Sequence, residues 1–223
     1  MTRLVTFGCS HTFGQALPDV WDNVHHKSLN FAGPSKYAWP QLLADKLNLE
    51  CVNLGMPGAC NKQIWFRIVN TKFQPNDIVI ILWSSKPRHC IIKKLDLPIR
   101  NWYETNSEGI EKLSPFLMEK NKHKPSKYFL KYIYNECDHF IDFCMKVNYV
   151  SLLLKNKIKL LKNCVDEPLE FTLPKWFDSD LEKINFRDDV YDIYPKALDN
   201  QHTGKEGNKA FADILYDNIN SRG

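Results

Sequence analysis

Residues 77–83 of this 223-residue chain read DIVIILW, six apolar residues in a row after one aspartate. A continuous apolar run of this length is typical of a strand in a parallel sheet, because helices cover both faces of such a sheet. The stretch therefore predicts a buried parallel strand, and the rest of the fold can be built outward from it.

Strand-like and helix-like segments alternate on both sides of this run. Further strands are predicted at residues 3–7, 50–54 and 157–163, and helices at 39–47, 61–72, 205–219 and, as one or two helices, 126–154. Alternation of this kind predicts a three-layer α/β/α sandwich around a parallel sheet. We expect one domain over residues 1–223, with an insertion at about 93–125 covering one end of the sheet.

Composition excludes several classes of function. Lysine and arginine number 30 against 26 acidic residues, a formal net charge of +4, which does not favour nucleic-acid binding. No apolar run of 18 residues occurs, so no membrane span is expected. The first residues reach polar sequence too early for a signal peptide, and seven cysteines without a Cys-x-x-Cys pair favour reduced thiols. We expect a protein that is cytoplasmic as synthesised.

Three polar residues at the two ends of the chain have the chemistry of nucleophilic hydrolysis. Ser10 directly follows the first strand, at the edge where open parallel sheets bind ligands. Asp199 and His202 are three residues apart before the last helix, so one tight turn can supply both a carboxylate and a base. Each residue has an ordinary structural role as well: a turn or N-cap serine, an Asx-turn aspartate and a solvated loop histidine.

Short motifs at these positions resemble those of a known family. The sequence FGCSHTFG at residues 7–14 resembles the first block, FGDSxTxG, of the SGNH (GDSL-type) hydrolases. The sequence NLGMPG at 53–58 is similar to their second block, and DNQH at 199–202 is similar to their last, DxxH. The three blocks occur in the family's order, each beside a predicted strand or helix.

This resemblance implies a flavodoxin-like sheet and a serine mechanism. Ser10 would be the nucleophile, His202 the general base and Asp199 the residue that orients the base. The backbone N–H groups of Ser10 and Gly58 would form the oxyanion hole. Asn61 is a further candidate for substrate binding. No metal or organic cofactor is implied, and the cysteines and histidines show no structural-zinc spacing.

The chain also departs from the family pattern. Cys9 replaces the aspartate of the first block, and strand-to-turn alternation is expected to direct its thiol away from the site. The third block, GxND, should follow the strand at 77–83, where this chain reads WSSKPR over 83–88. Ser85 then takes the approximate place of the oxyanion-hole asparagine, and Arg88 can face a negative substrate. Phage-encoded members of the family show a similar departure.

Two functions follow from these observations. The first is a serine esterase that removes a small acyl group, such as acetyl, from a carbohydrate or small-molecule ester through an acyl-enzyme. The alternative is a catalytically weak or inactive SGNH-like protein with a binding or virion structural role. A nucleotide-binding flavodoxin-like protein ranks last, because no phosphate loop is present. Homo-oligomer formation and association with a virus particle both stay open.

Overall fold

The computed structural model describes residues 2–29, 33–84, 88–92, 110–113, 124–166, 169, 172–179, 181–182 and 184–221. Its strands are β1 (Arg3–Phe7), β2 (Trp21–Asp22), β3 (Lys27–Ser28), β4 (Glu50–Asn53), β5 (Ile78–Trp83), β6 (His89–Ile92), β7 (Ile110–Leu113) and β8 (Leu160–Val165). Its α-helices are α1 (Ser10–Phe13), α2 (Trp39–Leu47), α3 (Asn61–Val69), α4 (Lys124–Tyr132), α5 (Glu136–Leu154) and α6 (Lys205–Asn220). A 3-10 helix (Pro18–Val20) and a π-helix (Arg187–Tyr191) are also present.

Four strands form the main sheet, in the order β4-β1-β5-β8. All three pairings are parallel: Leu4 in β1 lies opposite Cys51 on one side and Ile78 on the other, and Ile78 lies opposite Leu160. The parallel sheet predicted from the sequence is confirmed. β1 and β5 are its inner strands, so the segments that follow them lie at the middle of the carboxyl edge.

Helices cover both faces of this sheet. Side chains of α3 and α5 pack on the face that carries Val79 and Ile81 of β5. Side chains of α2 and α6 pack on the opposite face, which carries Ile78 and Ile80. All six residues of β5 are buried as a result, which explains why its sequence is apolar without alternation. The predicted three-layer α/β/α sandwich is confirmed.

Several predicted elements have different bounds in the structure; helix α3, for example, ends at Val69 rather than at residue 72. The segment predicted as one or two helices contains two, α4 and α5, and the Asn135 side chain caps α5 by accepting the N–H of Asp138 at 3.1 Å. The last strand, β8, begins at Leu160 rather than at residue 157. Asn156 takes a left-handed backbone (φ 64°), and the turn after α5 occupies the residues that we expected to begin the strand.

Part of the predicted insertion falls outside the described residues. Within residues 93–125 the structure describes β7, which pairs antiparallel with β6, and the start of α4. Among the helices that the structure describes, none is both long enough and apolar enough to cross a membrane.

Polar contacts bring the two ends of the chain together. Asn208 of α6 accepts the backbone N–H of Trp39 at 3.0 Å and donates to the carbonyls of Thr203 and Gly204. Because its side chain is almost completely buried, these bonds fix the start of α2 to the start of α6. The loop before α6 is thereby held beside the segment that follows β1.

Candidate active site

The carboxyl edge of the sheet gathers polar residues from all four parallel strands. Ser10 follows β1, Asn53 ends β4, Ser84 follows β5 and Asp166 follows β8. In open α/β sheets this edge is where ligands bind. The fold thus places the predicted nucleophile at the expected location.

Ser10 begins the short helix α1, three residues after the last residue of β1. Its carbonyl accepts the N–H groups of Gly14 (2.9 Å) and Gln15 (3.0 Å), which closes the helix at once. The turn into α1 is tight: a Cβ on Gly8 would lie 2.0 Å from Thr12 Oγ1. Only glycine fits there, so the Gly8 of the first block is explained by packing. The Ser10 side chain is nearly buried, at 2% exposure.

Asp199 and His202 form the pair that the sequence predicted. His202 Nδ1 lies 2.5 Å from Asp199 Oδ2, and Asp199 Oδ1 accepts the backbone N–H groups of Gln201 (2.9 Å) and His202 (3.0 Å). One carboxylate therefore orients the imidazole and closes the turn that carries it. This arrangement holds the proton on Nδ1 and leaves Nε2 as the nitrogen that can accept another.

The same turn occurs a second time in the chain. Asp22 Oδ1 accepts the N–H groups of Val24 (2.9 Å) and His25 (3.1 Å), and Asp22 Oδ2 lies 2.6 Å from His25 Nδ1. The His25 side chain is 65% exposed, whereas that of His202 is 16% exposed. A D-x-x-H turn is therefore not specific to catalysis by itself. What distinguishes the pair at His202 is its position at the sheet edge.

Three hydrogen bonds to backbone carbonyls hold the His202 turn in that position. The N–H of Ala197 donates to the carbonyl of His202 at 2.6 Å, and the N–H of Leu198 donates to the carbonyl of Ala16 at 3.3 Å. The Tyr191 hydroxyl donates to the carbonyl of Gln201 at 2.8 Å. The second contact ties the turn directly to the segment after α1.

His11 lies between the two halves of the site. Its ring centroid is 5.4 Å from that of His202, 4.7 Å from Phe186 and 5.4 Å from Tyr191. His202 is therefore in ring contact with the residue next to Ser10. Among the described residues no hydrogen bond joins Ser10 Oγ to the His202 ring. Hydrogen bonds between nucleophile and base are often long in unliganded enzymes and tighten when substrate binds.

Burial and neighbouring charges set the ionisation of these groups. Burial lowers the pKa of His11 well below its usual value, and the neighbouring His202, Arg88 and Lys196 lower it further, so His11 is neutral at pH 7. Burial alone would raise the pKa of Asp199. The interaction with the His202 ring and the hydrogen bonds from the backbone N–H groups of Gln201 and His202 outweigh burial and lower that pKa to about 2. Asp199 is a carboxylate at neutral pH.

Cys9, the rival nucleophile, is completely buried. Burial and the negative charge of Asp166 raise the pKa of its thiol, so the reactive thiolate is disfavoured. The expectation that Cys9 is directed into the interior agrees with this environment, and the residue packs in the core on the α3 and α5 face.

The loop between β4 and α3, called here the second loop, approaches α1 closely. Asn53 Nδ2 donates to the carbonyl of Thr12 at 2.7 Å, and a Cβ on Gly55 would lie 2.6 Å from the backbone nitrogen of Phe13. Gly58 in this loop is exposed and has φ 66°, a left-handed backbone that favours glycine. Its proposed role as an oxyanion donor stays a prediction.

Asn61 connects the second loop to the end of β5. Its Oδ1 accepts the N–H of Ser84 at 2.7 Å, and its Nδ2 donates to the Ser84 carbonyl at 3.1 Å. The amide keeps one N–H that a substrate could accept, so its role in substrate binding stays a prediction. Ser85, the predicted substitute for the oxyanion-hole asparagine, lies outside the described residues.

Arg88 lies beside Ser84 at the carboxyl edge of the sheet. Its Nη1 donates to Ser84 Oγ at 3.3 Å. Its positive charge lowers the pKa values of both Cys9 and His11, which places the guanidinium near both residues that flank Ser10. A cation at this position would attract a negative substrate group or a developing oxyanion.

Sequence reasoning missed two groups at this edge. The Asp166 side chain is 8% exposed, and its Oδ1 lies 4.0 Å from His11 Nε2. Asp166 directly follows β8, and a correct end for that strand would have predicted it as an edge residue. Tyr191 comes from the π-helix, and no pattern in the sequence indicated that this segment reaches the site.

Comparisons with known proteins agree with this architecture. No protein-family model matches the chain, and no curated protein matches it significantly. Two of the solved structures that resemble it are a carbohydrate acetylesterase from Sinorhizobium meliloti (14% identity, 100% of both chains, TM-score 0.52) and a proposed lipolytic protein of the G-D-S-L family from Desulfitobacterium hafniense (12% identity, 97% of this chain and 98% of the other, TM-score 0.47). The three-layer sandwich with its parallel sheet is the SGNH hydrolase fold.

Proposed function

We propose that this chain, which has the SGNH hydrolase fold, is a serine ester hydrolase with Ser10 as nucleophile, His202 as base and Asp199 as the residue that orients the base. The observation that carries the proposal is the 2.5 Å contact between Asp199 Oδ2 and His202 Nδ1, in a turn whose histidine touches the residue next to Ser10. Among the described residues, no ring contact links the equivalent pair at Asp22 and His25 to another candidate site residue, so position distinguishes the two.

The proposed reaction has two steps, acylation of Ser10 and hydrolysis of the acyl-enzyme. Ser10 Oγ attacks the ester carbonyl carbon while its proton passes to His202 Nε2, and the tetrahedral intermediate expels the alcohol, which takes that proton. Water then attacks the acyl-enzyme carbonyl while His202 accepts its proton; the C–Oγ bond breaks, that proton passes to Ser10 Oγ, and the acid is released. Asp199 stabilises the imidazolium in each step without taking its proton.

The oxyanion of the intermediate needs donors at the same edge. The backbone N–H groups of Ser10 and Gly58 are the proposed donors, with Ser85 as a third. Removal of one such donor typically costs about 3 kcal/mol of activation free energy. The positive charge of Arg88 beside this edge supports stabilisation of a negative intermediate or recognition of a negative substrate.

A small acyl group fits this site best. Ser10 is only 2% exposed, so a bulky acyl chain would have to displace surrounding side chains to reach it. One solved structure with this fold is a carbohydrate acetylesterase. We therefore propose an acetyl ester, carried by a carbohydrate or another small alcohol, as the substrate, with Asn61 and Arg88 as binding residues.

A second candidate is a weak or inactive SGNH-like protein that serves in binding or in a virus particle. The observation that favours it is the absence, among the described residues, of a hydrogen bond between Ser10 Oγ and the His202 ring. Phage-like origin and virion association rest on the sequence resemblance alone, and belong to this candidate.

Hydrolysis of acyl esters separates the two candidates. The purified protein is assayed with p-nitrophenyl acetate, butyrate and octanoate, and with acetylated sugars. The esterase proposal expects turnover of acetate that falls as the acyl chain lengthens and that Ser10→Ala abolishes. Folded wild-type protein that turns over none of these esters, or an Ser10→Ala variant with unchanged turnover, would contradict it.

A further inference from the structure

Helix α5 has an exposed apolar stripe opposite its buried side. Four large side chains on this stripe are strongly exposed: Ile141 (45%), Met145 (60%), Tyr149 (50%) and Leu152 (69%). Their spacings of four, four and three residues place them along one line on the helix. Single exposed apolar residues are common on protein surfaces, but a contiguous row of four indicates a contact surface.

Opposite charges stand at the two ends of this stripe. Asp138 lies three residues before Ile141, and Lys155 lies three residues after Leu152; both are exposed. Neither forms an ion pair with another described residue. The two charges are therefore available to a partner that carries the opposite sign at each end.

The stripe is complementary to the same stripe on a second copy when the two helices run in opposite directions. A two-fold axis near residues 146–147 would bring Asp138 opposite the second copy's Lys155 and Ile141 opposite the second copy's Leu152. Met145 and Tyr149 would meet across the axis. A parallel pair would instead place like charges together at both ends, which is unfavourable. The order of residues along one helix thus selects an antiparallel, isologous contact.

We propose that two copies of this chain associate through an antiparallel pairing of their α5 helices. The stripe from residue 138 to residue 155 is about 25 Å long at 1.5 Å per residue, which is sufficient for a helix pair. Trp176, 49% exposed, lies beside it, because its carbonyl accepts Asn148 Nδ2 at 3.3 Å.

The size of this surface determines the expected affinity. A single helix stripe buries less than the roughly 800 Å² per partner of a stable complex, so the dimer should be in exchange with monomer at micromolar concentration. The paired face lies on one side of the sheet, whereas Ser10 lies at its carboxyl edge. Dimer formation is therefore independent of the proposed esterase activity.

Sedimentation equilibrium over a concentration series tests the proposal. The full chain is expected to move from its monomer mass of 26.1 kDa toward twice that value as concentration rises. Met145→Glu should abolish the increase, because two carboxylates would be buried at the axis. A wild-type protein that stays monomeric up to about 1 mM would overturn the proposal, and so would a dimer that Met145→Glu leaves intact.

Charge reversal identifies the register. Asp138→Lys and Lys155→Asp should each raise the dissociation constant about tenfold, because each creates two like-charge contacts per dimer. The double variant should return to within about threefold of the wild type. Glu136→Lys is the matched control: it reverses a charge in the same helical turn, on the opposite side from Met145, and should have no effect. A double variant no tighter than the single ones would overturn the antiparallel register.

Discussion

Replacement of Asp199 by asparagine should abolish the proposed esterase activity while it leaves the fold intact. Asparagine keeps the oxygen that accepts the N–H groups of Gln201 and His202. Its amide nitrogen would replace the oxygen that now lies 2.5 Å from His202 Nδ1. Because that amide donates, Nδ1 must become an acceptor and the ring proton must move to Nε2. His202 then cannot take the proton of Ser10.

The expected losses of rate and of stability differ in size. A wrong tautomer in a serine triad costs about 10⁴-fold in kcat, or roughly 5 kcal/mol of activation free energy. The fall in the Asp199 pKa from 3.8 to about 2 corresponds to roughly 2 kcal/mol of stability, which partial exposure reduces to about 1 kcal/mol. A chain of this size should therefore lose only about 2–4 °C in Tm.

The chain supplies its own control for this experiment. Asp22→Asn makes the same change in a turn with the same hydrogen bonds. Because Asp22 has no role in the proposed mechanism, this variant should leave kcat unchanged. Turnover of p-nitrophenyl acetate and thermal unfolding are measured for both variants. Activity of Asp199→Asn within about tenfold of the wild type would refute the proposed role. An equal loss in Asp22→Asn would show that the effect is not specific to the site.

Other parts of the structure make independent predictions. Arg3 donates two hydrogen bonds to the completely buried carboxylate of Asp77 (2.9 and 2.7 Å). Arg3→Leu leaves that carboxylate without its cation, so it should lower the free energy of unfolding, measured in urea, by about 3 kcal/mol. A loss below about 1 kcal/mol would contradict this prediction. Gly55→Ala places a Cβ against the backbone of Phe13, so it should shift α1 and lower kcat/KM at least tenfold, with wild-type kinetics as the contradicting result. Burial lowers the pKa of His89 to about 4, so the unfolded chain takes up the proton first and stability falls between pH 6.5 and 4. Urea unfolding at pH 7 and pH 5 should show a smaller fall for His89→Gln, and an equal fall would refute the assignment.

Most of the fold could be predicted because its sheet is apolar and its strands are parallel. The run at residues 77–83 indicated β5, and the motif at 7–14 indicated both β1 and the serine that follows it. The start of β8 was wrong by three residues, since the left-handed backbone of Asn156 extends the turn after α5. The end of β8 was also predicted two residues early, at residue 163, and this second error hid Asp166, which directly follows Val165 at the sheet edge.

Residues of the candidate site could be predicted where one short sequence motif contains them. Asp199 and His202 lie in one turn, so their spacing was informative. His11 and Tyr191 meet in space from distant segments, and no spacing rule connects them. The turn at Asp22 shows the opposite problem: it has the same motif and the same hydrogen-bond pattern, but within the described part of the chain it contacts no other candidate site residue, so only the fold distinguishes the two turns.

The most direct test of the central claim is to find which residue reacts with a fluorophosphonate. The native protein is treated with the probe, digested, and analysed by tandem mass spectrometry. We predict a single adduct on Ser10, absent from Ser10→Ala and from protein unfolded before treatment. A folded protein that carries no adduct, or one whose adduct is on Cys9 or another residue, would contradict the assignment of Ser10 as the nucleophile.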